Sequence, residues 1–226
     1  MIKFDKVAKK FGSITALNGV TFEIPVKEFV FIIGPSGAGK TTLAKLILRE
    51  YLPTSGKIEI NGLDLKELKK KQLVDLRRKI GVVFQDLKLL VDQTVYENVA
   101  LALKVLNKKE EEIQKEVHSV LKLVGLNEKA DLFPAQLAGG ELQRVCLARA
   151  VVAHPEIVFA DEPTGNLDPA TAWQIIKLLK KINQMGATVI MATHNFEIVN
   201  SLKERVIEFD KGKLISDEKK GQYRVR

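Results

Sequence analysis

A glycine-rich segment that directly follows an apolar run constrains the fold of this chain more than any other feature. The run is Phe29–Ile33, five consecutive apolar residues, which is typical of a strand covered on both faces. A helical pattern follows over residues 43–48. A strand before and a helix after are the context in which such a segment binds phosphate. The segment itself reads Gly34-Pro35-Ser36-Gly37-Ala38-Gly39-Lys40-Thr41-Thr42.

The residue types of this segment suit a phosphate chain. Glycines allow backbone N–H groups to turn inward around phosphate oxygens, and the helix that begins near Lys40 directs its positive end at the anion. We expect Lys40 to reach the β- and γ-phosphates and the Thr41 hydroxyl to bind Mg²⁺. The segment therefore predicts binding and hydrolysis of ATP, with a ligand-free glycine-rich turn as the alternative.

A second apolar run ends in two carboxylates. Residues 157–160 are apolar, and Asp161 and Glu162 follow them directly. In an open α/β sheet, strand ends of this kind lie beside the phosphate crevice. We expect Asp161 to hold Mg²⁺, directly or through a water, and Glu162 to polarise the attacking water. Taken alone, two acids after a strand also suit a helix cap.

The remaining pattern predicts an α/β fold. Strand patterns alternate with helical ones, which indicates a parallel sheet with helices on its faces. The middle of the chain is mostly helical and is predicted to be an insertion. The predicted strands lie near residues 2–7, 19–24, 28–33, 57–60, 80–84, 157–160 and 188–191, and the predicted helices at 43–48, 95–105, 110–124, 141–153 and 170–182.

Composition excludes several classes of protein. The longest apolar runs have five residues, whereas a membrane-spanning helix needs about 20. The amino terminus lacks the pattern of a secretory signal. Cys146 is the one cysteine among 226 residues, so no internal disulfide forms, and a reducing cytoplasmic compartment is expected. We expect Cys146 to be a small core residue.

Positive charge is concentrated in one segment. The chain carries a net charge of +8, and residues 66–79 hold seven basic residues against two acidic ones. This segment suits a solvated helix face or a surface near anionic lipid. The last ten residues, 217–226, are polar and basic and are predicted to form a loose tail.

Four further sequence elements connect the chain to a known family. Gln85 follows a predicted strand, and Leu137-Ala138-Gly139-Gly140-Glu141-Leu142-Gln143-Arg144 opens a helix before Asp161. The others are Asp161-Glu162-Pro163-Thr164-Gly165-Asn166-Leu167-Asp168 and Ala192-Thr193-His194. With the glycine-rich segment, these motifs resemble the ATP-binding cassette (ABC) ATPases in the family's order and over essentially the whole chain.

The resemblance implies a fold and its boundaries. The fold is that of a P-loop NTPase of the ABC type, with a RecA-like parallel-sheet core, an N-terminal antiparallel β subdomain and an inserted α-helical subdomain. It implies one ABC ATPase domain over residues 1–226, in which 87–153 form the helical subdomain with the signature. Residues 1–86 and 154–226 then form the β subdomain and the ATP-binding core.

The resemblance also implies roles for individual residues. Phe11 stacks on adenine, Gln85 contacts Mg²⁺ and the water and senses a transmembrane partner, and His194 contacts the γ-phosphate. Gly139, Gly140 and the helix start with Glu141 grip the γ-phosphate of ATP held by a second subunit, and Asp168 links the two sites. A helix amino terminus with two glycines suits an anion. A head-to-tail homodimer enclosing two ATP molecules is therefore expected.

Ala138 departs from the family pattern, which has serine at this position. That serine caps the signature helix and donates a hydrogen bond to the γ-phosphate, and alanine does neither. A hydrogen bond to a charged group contributes about 1.5–3 kcal/mol and an N-cap about 1 kcal/mol. We therefore expect ATP-driven dimer closure to be weakened but retained, because the backbone donors and helix dipole remain.

A finer resemblance is to the cell-division branch of the family. It implies a peripheral protein on the cytoplasmic side of the inner membrane, working with an integral-membrane FtsX-like subunit to regulate cell-wall hydrolysis. Residues 85–99 are then expected to receive that subunit's coupling helix. The segments that carry it are residues 80–90, 94–100, 160–168 and 191–195.

Three alternatives stay open at this point. The ATPases of lipoprotein-release and macrolide-export transporters have very similar sequences. A DNA-associated ABC ATPase would suit the basic charge, but such proteins carry long coiled coils before the signature. Here Lys40 and Leu137 are only 97 positions apart, without sustained heptads between them, so no nucleic acid is expected. A switch that binds ATP without hydrolysing it is disfavoured by Glu162 and His194.

Overall fold

The computed structural model describes residues 1–223. They form two compact units, Met1–Arg77 with the residues from Thr188 onward, and Arg78–Ala187. Among the described residues, no helix combines the length and the apolar character that crossing a bilayer requires. The family resemblance places the boundaries differently, with a helical subdomain over residues 87–153. Those boundaries stay a prediction.

The first unit contains an antiparallel sheet. Its strands are β1 (Ile2–Phe11), β2 (Ile14–Ile24), β4 (Ser55–Ile60) and β5 (Leu63–Asp64), in the order β2-β1-β4-β5. Apolar residues alternate along β1 and β2, so one face is buried. On that face Phe4 stacks on Phe22, with ring centroids 4.6 Å apart, and Phe22 meets Phe209 edge-on at 6.0 Å.

The same unit also contains parallel strands around β3 (Phe29–Ile33), whose five residues are all buried. Strand β3 lies between β8 (Thr188–Ala192) and β9 (Arg205–Asp210) and is parallel to both. Strand β10 (Lys213–Glu218) pairs with β9 in the antiparallel sense. The unit's helices are α1 (Lys40–Ile47), α2 (Lys70–Arg78, whose last residue belongs to the second unit) and α7 (Phe196–Leu202).

The second unit pairs β6 (Ile80–Val83) with β7 (Ile157–Asp161) in parallel. Its helices are α3 (Val95–Val105), α4 (Glu110–Leu123), α5 (Gly139–Val151) and α6 (Pro169–Gln184). Helix α3 begins at a complete capping box, in which Thr94 and Glu97 satisfy each other's backbone N–H groups. The helical spacing of Ile113, Val117 and Leu121 places all three in the core.

The predicted loose tail is wrong for most of its length. Asp217 lies in β10, and its two carboxylate oxygens accept hydrogen bonds of 2.7 Å from the Arg205 guanidinium, which also donates to Glu28 at 2.7 Å. Tyr223 exchanges two hydrogen bonds with the Asn200 side chain on α7, of 2.7 and 3.1 Å. Strand pairing and these polar contacts order residues 217–223, and residues 224–226 lie outside the described residues.

Candidate active site

The glycine-rich segment forms the turn between β3 and α1. Lys40 is the first residue of α1, and its ammonium group donates hydrogen bonds to the backbone carbonyl oxygens of Gly34 at 2.6 Å and Pro35 at 3.2 Å. Ser36 and Gly37 are exposed, whereas Ala38 is buried. The side chain of Lys40 thus spans the turn from helix to strand, and Thr41 and Thr42 follow it in the first helical turn.

Gly34 is required at its position for two reasons. Its φ angle is +147°, a conformation that favours glycine. A Cβ atom there would also lie 2.1 Å from the backbone oxygen of Phe209, on β9. The turn therefore packs directly against a neighbouring strand. Further along, the backbone N–H of Gly212 donates to the carbonyl oxygen of Ala38 at 3.2 Å.

Phe11, the predicted adenine platform, ends β1 and is 39% exposed. Its ring meets the ring of Tyr51 edge-on, with centroids 5.0 Å apart. The Lys9 ammonium lies 4.8 Å from the Phe11 centroid and 5.3 Å from that of Tyr51, within cation–π range. An exposed aromatic face is thus fixed in orientation by two neighbours, neither of which the sequence indicated.

His194 lies between β8 and α7 in the first unit and is exposed. It follows the buried Thr193, and Asn195 after it caps α7 by accepting the N–H of Ile198 at 3.1 Å. The Thr193 hydroxyl accepts the N–H of Asn195 at 3.1 Å. These short contacts fix the backbone on both sides of His194.

The two predicted carboxylates follow the buried strand β7 in the second unit. Asp161 is its last residue, Glu162 is the next one, and both are half-buried. Glu162 has a φ angle of +48°, the left-handed region that costs a non-glycine residue about 1–2 kcal/mol. Other non-glycine residues, Lys6 and Asn61 among them, share this φ region, so the expected role of Glu162 rests on its place directly after β7.

Gln85 lies two residues after β6 and is exposed. The chain beyond it passes through Leu87 and Lys88, which have φ angles of +56° and +49°. Helix α5 holds this bend. Arg149 donates to the carbonyl oxygens of Lys88 at 2.7 Å and Leu87 at 2.8 Å, and the buried Cys146 thiol donates to Leu87 at 3.3 Å. Burial raises the pKa of Cys146 to about 11.

Ala138 is the N-cap residue of α5 and provides no side-chain cap. The opposite half of a capping box is present, since Glu141 accepts the N–H of Ala138 at 3.1 Å. Glu141 also accepts from Lys129 at 2.6 Å. The Lys129 ammonium, with the Ala138 N–H, holds the pKa of the Glu141 carboxyl below its usual range. A backbone N–H group in the first turn of α5 therefore lacks the side-chain acceptor that a serine at position 138 would supply.

Gly140 packs against the start of α6. A Cβ atom on Gly140 would lie 2.3 Å from Cγ2 of Thr171, whereas one on Gly139 would meet nothing within 4 Å. The N–H of Thr171 donates to Asp168, the N-cap residue of α6, at 3.0 Å. Hydrogen bonds from the Thr171 side chain and backbone lower the pKa of Asp168. Thr171 thus joins two motifs that lie far apart in the sequence.

The structure brings some of the predicted site residues together within each unit. In the first, Lys40 contacts Gly34 and Pro35. In the second, Thr171 connects Gly140 to Asp168. Within residues 1–223 no three His, Cys, Asp or Glu side chains form a group that could hold a metal ion. The assignment of roles to these residues stays a prediction, and Tyr51, Thr171 and Arg149 are additions to it.

Comparison with known proteins shows which family this chain resembles. The family model described as ABC transporter matches residues 17–165. The cell division ATP-binding protein FtsE of Bacillus subtilis is 53% identical over 99% of this chain and 98% of its own length. The protein of the same name from Escherichia coli K12 is 46% identical over 95% and 97%.

Solved structures agree with the sequence comparisons. The dimeric post-hydrolysis state of the ATP-binding cassette MJ0796 bound to ADP and Pi matches with a TM-score of 0.88 and 38% identity, covering 99% of this chain and all of that one. Part of a Clostridium perfringens transporter complex, cbiO1, matches with a TM-score of 0.89 and 31% identity, covering 96% and 88%. The predicted P-loop fold of the ABC type is confirmed. The chain therefore belongs to the ABC transporter family and is an FtsE-like ATP hydrolase.

Proposed function

We propose that this ATPase works as a head-to-tail homodimer at the cytoplasmic side of the membrane, where it drives an FtsX-like subunit that regulates cell-wall hydrolysis in cell division. The observation that carries this role is the 53% identity to FtsE over 99% of the chain. The match also spans 98% of the length of that relative.

The proposed chemistry assigns one task to each residue. Lys40 binds the terminal phosphates as a point charge, Phe11 stacks on the adenine, and Glu162 orients and polarises the attacking water. His194 contacts the γ-phosphate. Closure around the nucleotide excludes water, which strengthens each of these interactions.

Thr41, Gln85 and Asp161 are proposed to hold Mg²⁺ together with the phosphates of ATP. A hydroxyl, an amide and a carboxylate fit this ion, because Mg²⁺ takes oxygen ligands and is usually bound through one or two carboxylates plus substrate phosphates. When bound, the ion neutralises charge that develops on the transferred phosphoryl group.

The dimer is proposed from the signature end of α5. Its first-turn N–H groups and helix dipole suit an anion, and Gly139 has open space around its Cα. The γ-phosphate of ATP held by a second copy is the proposed ligand. The MJ0796 cassette bound to ADP and Pi is itself dimeric, which supports this arrangement.

Two neighbouring exposed apolar side chains support the proposal of a membrane partner. Leu90 and Val91 are 42% and 76% exposed, in the segment expected to receive a coupling helix. The buried Asn98 braces this segment. It accepts the N–H of Leu90 at 2.8 Å and donates to the carbonyl oxygens of Leu90, Gln93 and Thr94 at 2.9–3.0 Å. A rigid loop that presents apolar side chains suits a protein partner.

Capture from detergent-solubilised membranes tests the proposal. Tagged protein is expected to recover a four-span FtsX-like protein, and Val91→Asp is expected to abolish that recovery. Val105→Asp, at a 60% exposed position outside the segment, is the matched control and is expected to retain it. Recovery of a lipoprotein-release or macrolide-export subunit instead would replace the proposed role with the second candidate.

A further inference from the structure

Helix α2 presents a basic surface that the proposed function does not use. We define the α2 basic face as Lys66, Lys69, Lys70, Lys71 and Val74, all of which are exposed. Lys70 and Lys71 precede Val74 by four and three residues, so the three side chains share one side of the helix. Val74, at 47% exposed, is an apolar side chain among ammonium groups.

The opposite side of α2 anchors it to its own unit. Leu76 is buried. The Arg77 guanidinium donates to the carbonyl oxygens of Leu48 at 3.0 Å and Arg49 at 3.3 Å, just after the end of α1. Because these contacts fix the helix about its axis, the α2 basic face is held toward solvent.

Folding does not account for the lysines. Among the described residues, none of the four ammonium groups of this face forms an ion pair. The first turn of α2 contains no acidic residue, and positive charge in the first turn of a helix opposes its macrodipole. The lysines therefore weaken the helix that carries them, which indicates a use outside the fold.

We propose that the α2 basic face binds the anionic lipid headgroups of the membrane. The inference rests on the proposed location at the cytoplasmic membrane surface, because that surface carries negative charge and attracts clustered lysines. Lysine ammonium groups remain hydrated while they approach phosphate headgroups, and Val74 enters the headgroup boundary between them. The contact adds a second attachment to that provided by a membrane subunit.

Nucleic acid is the competing anionic partner, and the composition of the face disfavours it. Its four cations are all lysine, whereas phosphate and base recognition in nucleic acids makes heavy use of arginine. Of the two arginines of the helix, Arg77 donates to backbone carbonyls, and Arg78 also has an interaction within the chain. The face also lacks an aromatic side chain on which a base could stack.

Vesicle co-sedimentation of the full chain tests the proposal. The probes are phosphatidylcholine vesicles with and without phosphatidylglycerol, and the variant is Lys69→Gln/Lys70→Gln/Lys71→Gln. Each surface lysine contributes about 1 kcal/mol, so we expect binding to anionic vesicles to weaken by about 100-fold. Binding of the unmodified chain is expected to fall as salt shortens the Debye length from about 10 Å at 0.1 M.

Lys104→Gln/Lys109→Gln/Lys115→Gln is the matched control, since it removes the same charge at exposed positions of the second unit. It is expected to bind anionic vesicles as the unmodified chain does. Equal loss in both triple variants, or equal binding to neutral vesicles, would overturn the proposal. Tighter binding to duplex DNA than to anionic vesicles at the same salt would assign the face to nucleic acid. None of these results depends on a membrane subunit, so the capture experiment remains a separate test.

Discussion

The ammonium group of Lys40 lies 2.6 Å from the carbonyl oxygen of Gly34, six residues earlier at the opposite end of the same turn. A cation held by backbone oxygens at the mouth of an anion cradle is poised for exchange onto phosphate. Its carbonyl partners and a phosphate chain are all oxygen acceptors, and the phosphate carries the greater charge.

Lys40→Ala is expected to weaken ATP binding by about 10- to 100-fold, since a hydrogen bond to a charged group contributes about 1.5–3 kcal/mol. Equilibrium titration with a fluorescent ATP analogue measures the change. Lys57→Ala removes a lysine paired with Glu59 on β4 and serves as the control. Affinity within twofold of the unmodified chain would contradict the assigned role of Lys40.

Glu162→Gln is expected to lower ATP turnover by about 100- to 10,000-fold, the usual contribution of a general base. Because glutamine preserves the shape of the side chain, the variant is expected to accumulate as an ATP-bound dimer. Steady-state hydrolysis and light scattering with ATP report both effects. Glu111→Gln, at an exposed position on α4, is the control, and unchanged turnover in Glu162→Gln would remove the assignment.

Ala138→Ser is expected to stabilise the chain by about 1 kcal/mol, because the new hydroxyl supplies the missing N-cap acceptor of α5. ATPase activity or the closed-dimer population is expected to rise as well, through a new donor to phosphate. Thermal unfolding, hydrolysis and light scattering are the measurements. Ala135→Ser, at an exposed position before the helix, is the comparison, and the hypothesis fails if neither activity nor dimer population changes.

Gly140→Ala is expected to destabilise the chain by about 1–3 kcal/mol, the usual cost of overpacking, because the added methyl meets Cγ2 of Thr171. Thr171→Ser removes that Cγ2 atom. The double variant Gly140→Ala/Thr171→Ser is therefore expected to regain most of the lost stability. Gly139→Ala has open space and is not expected to destabilise. Chemical denaturation measures all three, and an unrescued double variant would show that the contact is not the cause.

The Cys146 thiol is expected to make stability depend on alkaline pH. Its pKa is raised to about 11 in the folded chain, so between about pH 9 and 11 the unfolded chain loses a proton that the folded chain keeps. Stability then falls with rising pH, by about 1.4 kcal/mol per pH unit at most. The difference between the unmodified chain and Cys146→Ala isolates this effect, and a difference independent of pH would contradict it.

The sequence predicted those parts of the fold whose signal is local. Phe29–Ile33 is apolar throughout because the strand is covered on both faces, and the spacing of Ile113, Val117 and Leu121 follows directly from helix geometry. Strands β9 and β10 were missed. Strand β9 pairs with β3, far away in the sequence, and β10 pairs with β9. Arg205 adds contacts to Glu28 and Asp217, which are charged residues without a strand signal.

In the candidate site, too, local motifs could be predicted from the sequence and long-range contacts could not. Motifs that are continuous in the sequence can be predicted from local pattern, and the turn from Gly34 to Lys40 does lie between a strand and a helix, as expected. The additions are contacts across long separations. Tyr51 contacts Phe11, which lies 40 positions earlier in the sequence. Arg149 donates to the carbonyl oxygen of Leu87, 62 positions earlier. Thr171 on α6 packs against Gly140 on α5. Such contacts are determined by tertiary packing, which no local pattern encodes.

The paired hydrogen bonds between Asn200 and Tyr223 bear on how the protein is engineered. Asn200 belongs to the helix that follows His194, so these bonds close a loop of chain around β9 and β10. Trimming the gene before Tyr223 would leave the amide of Asn200 without both partners and loosen the helix behind the histidine. Affinity handles and fluorescent reporters at this end should therefore follow Tyr223 and not replace it.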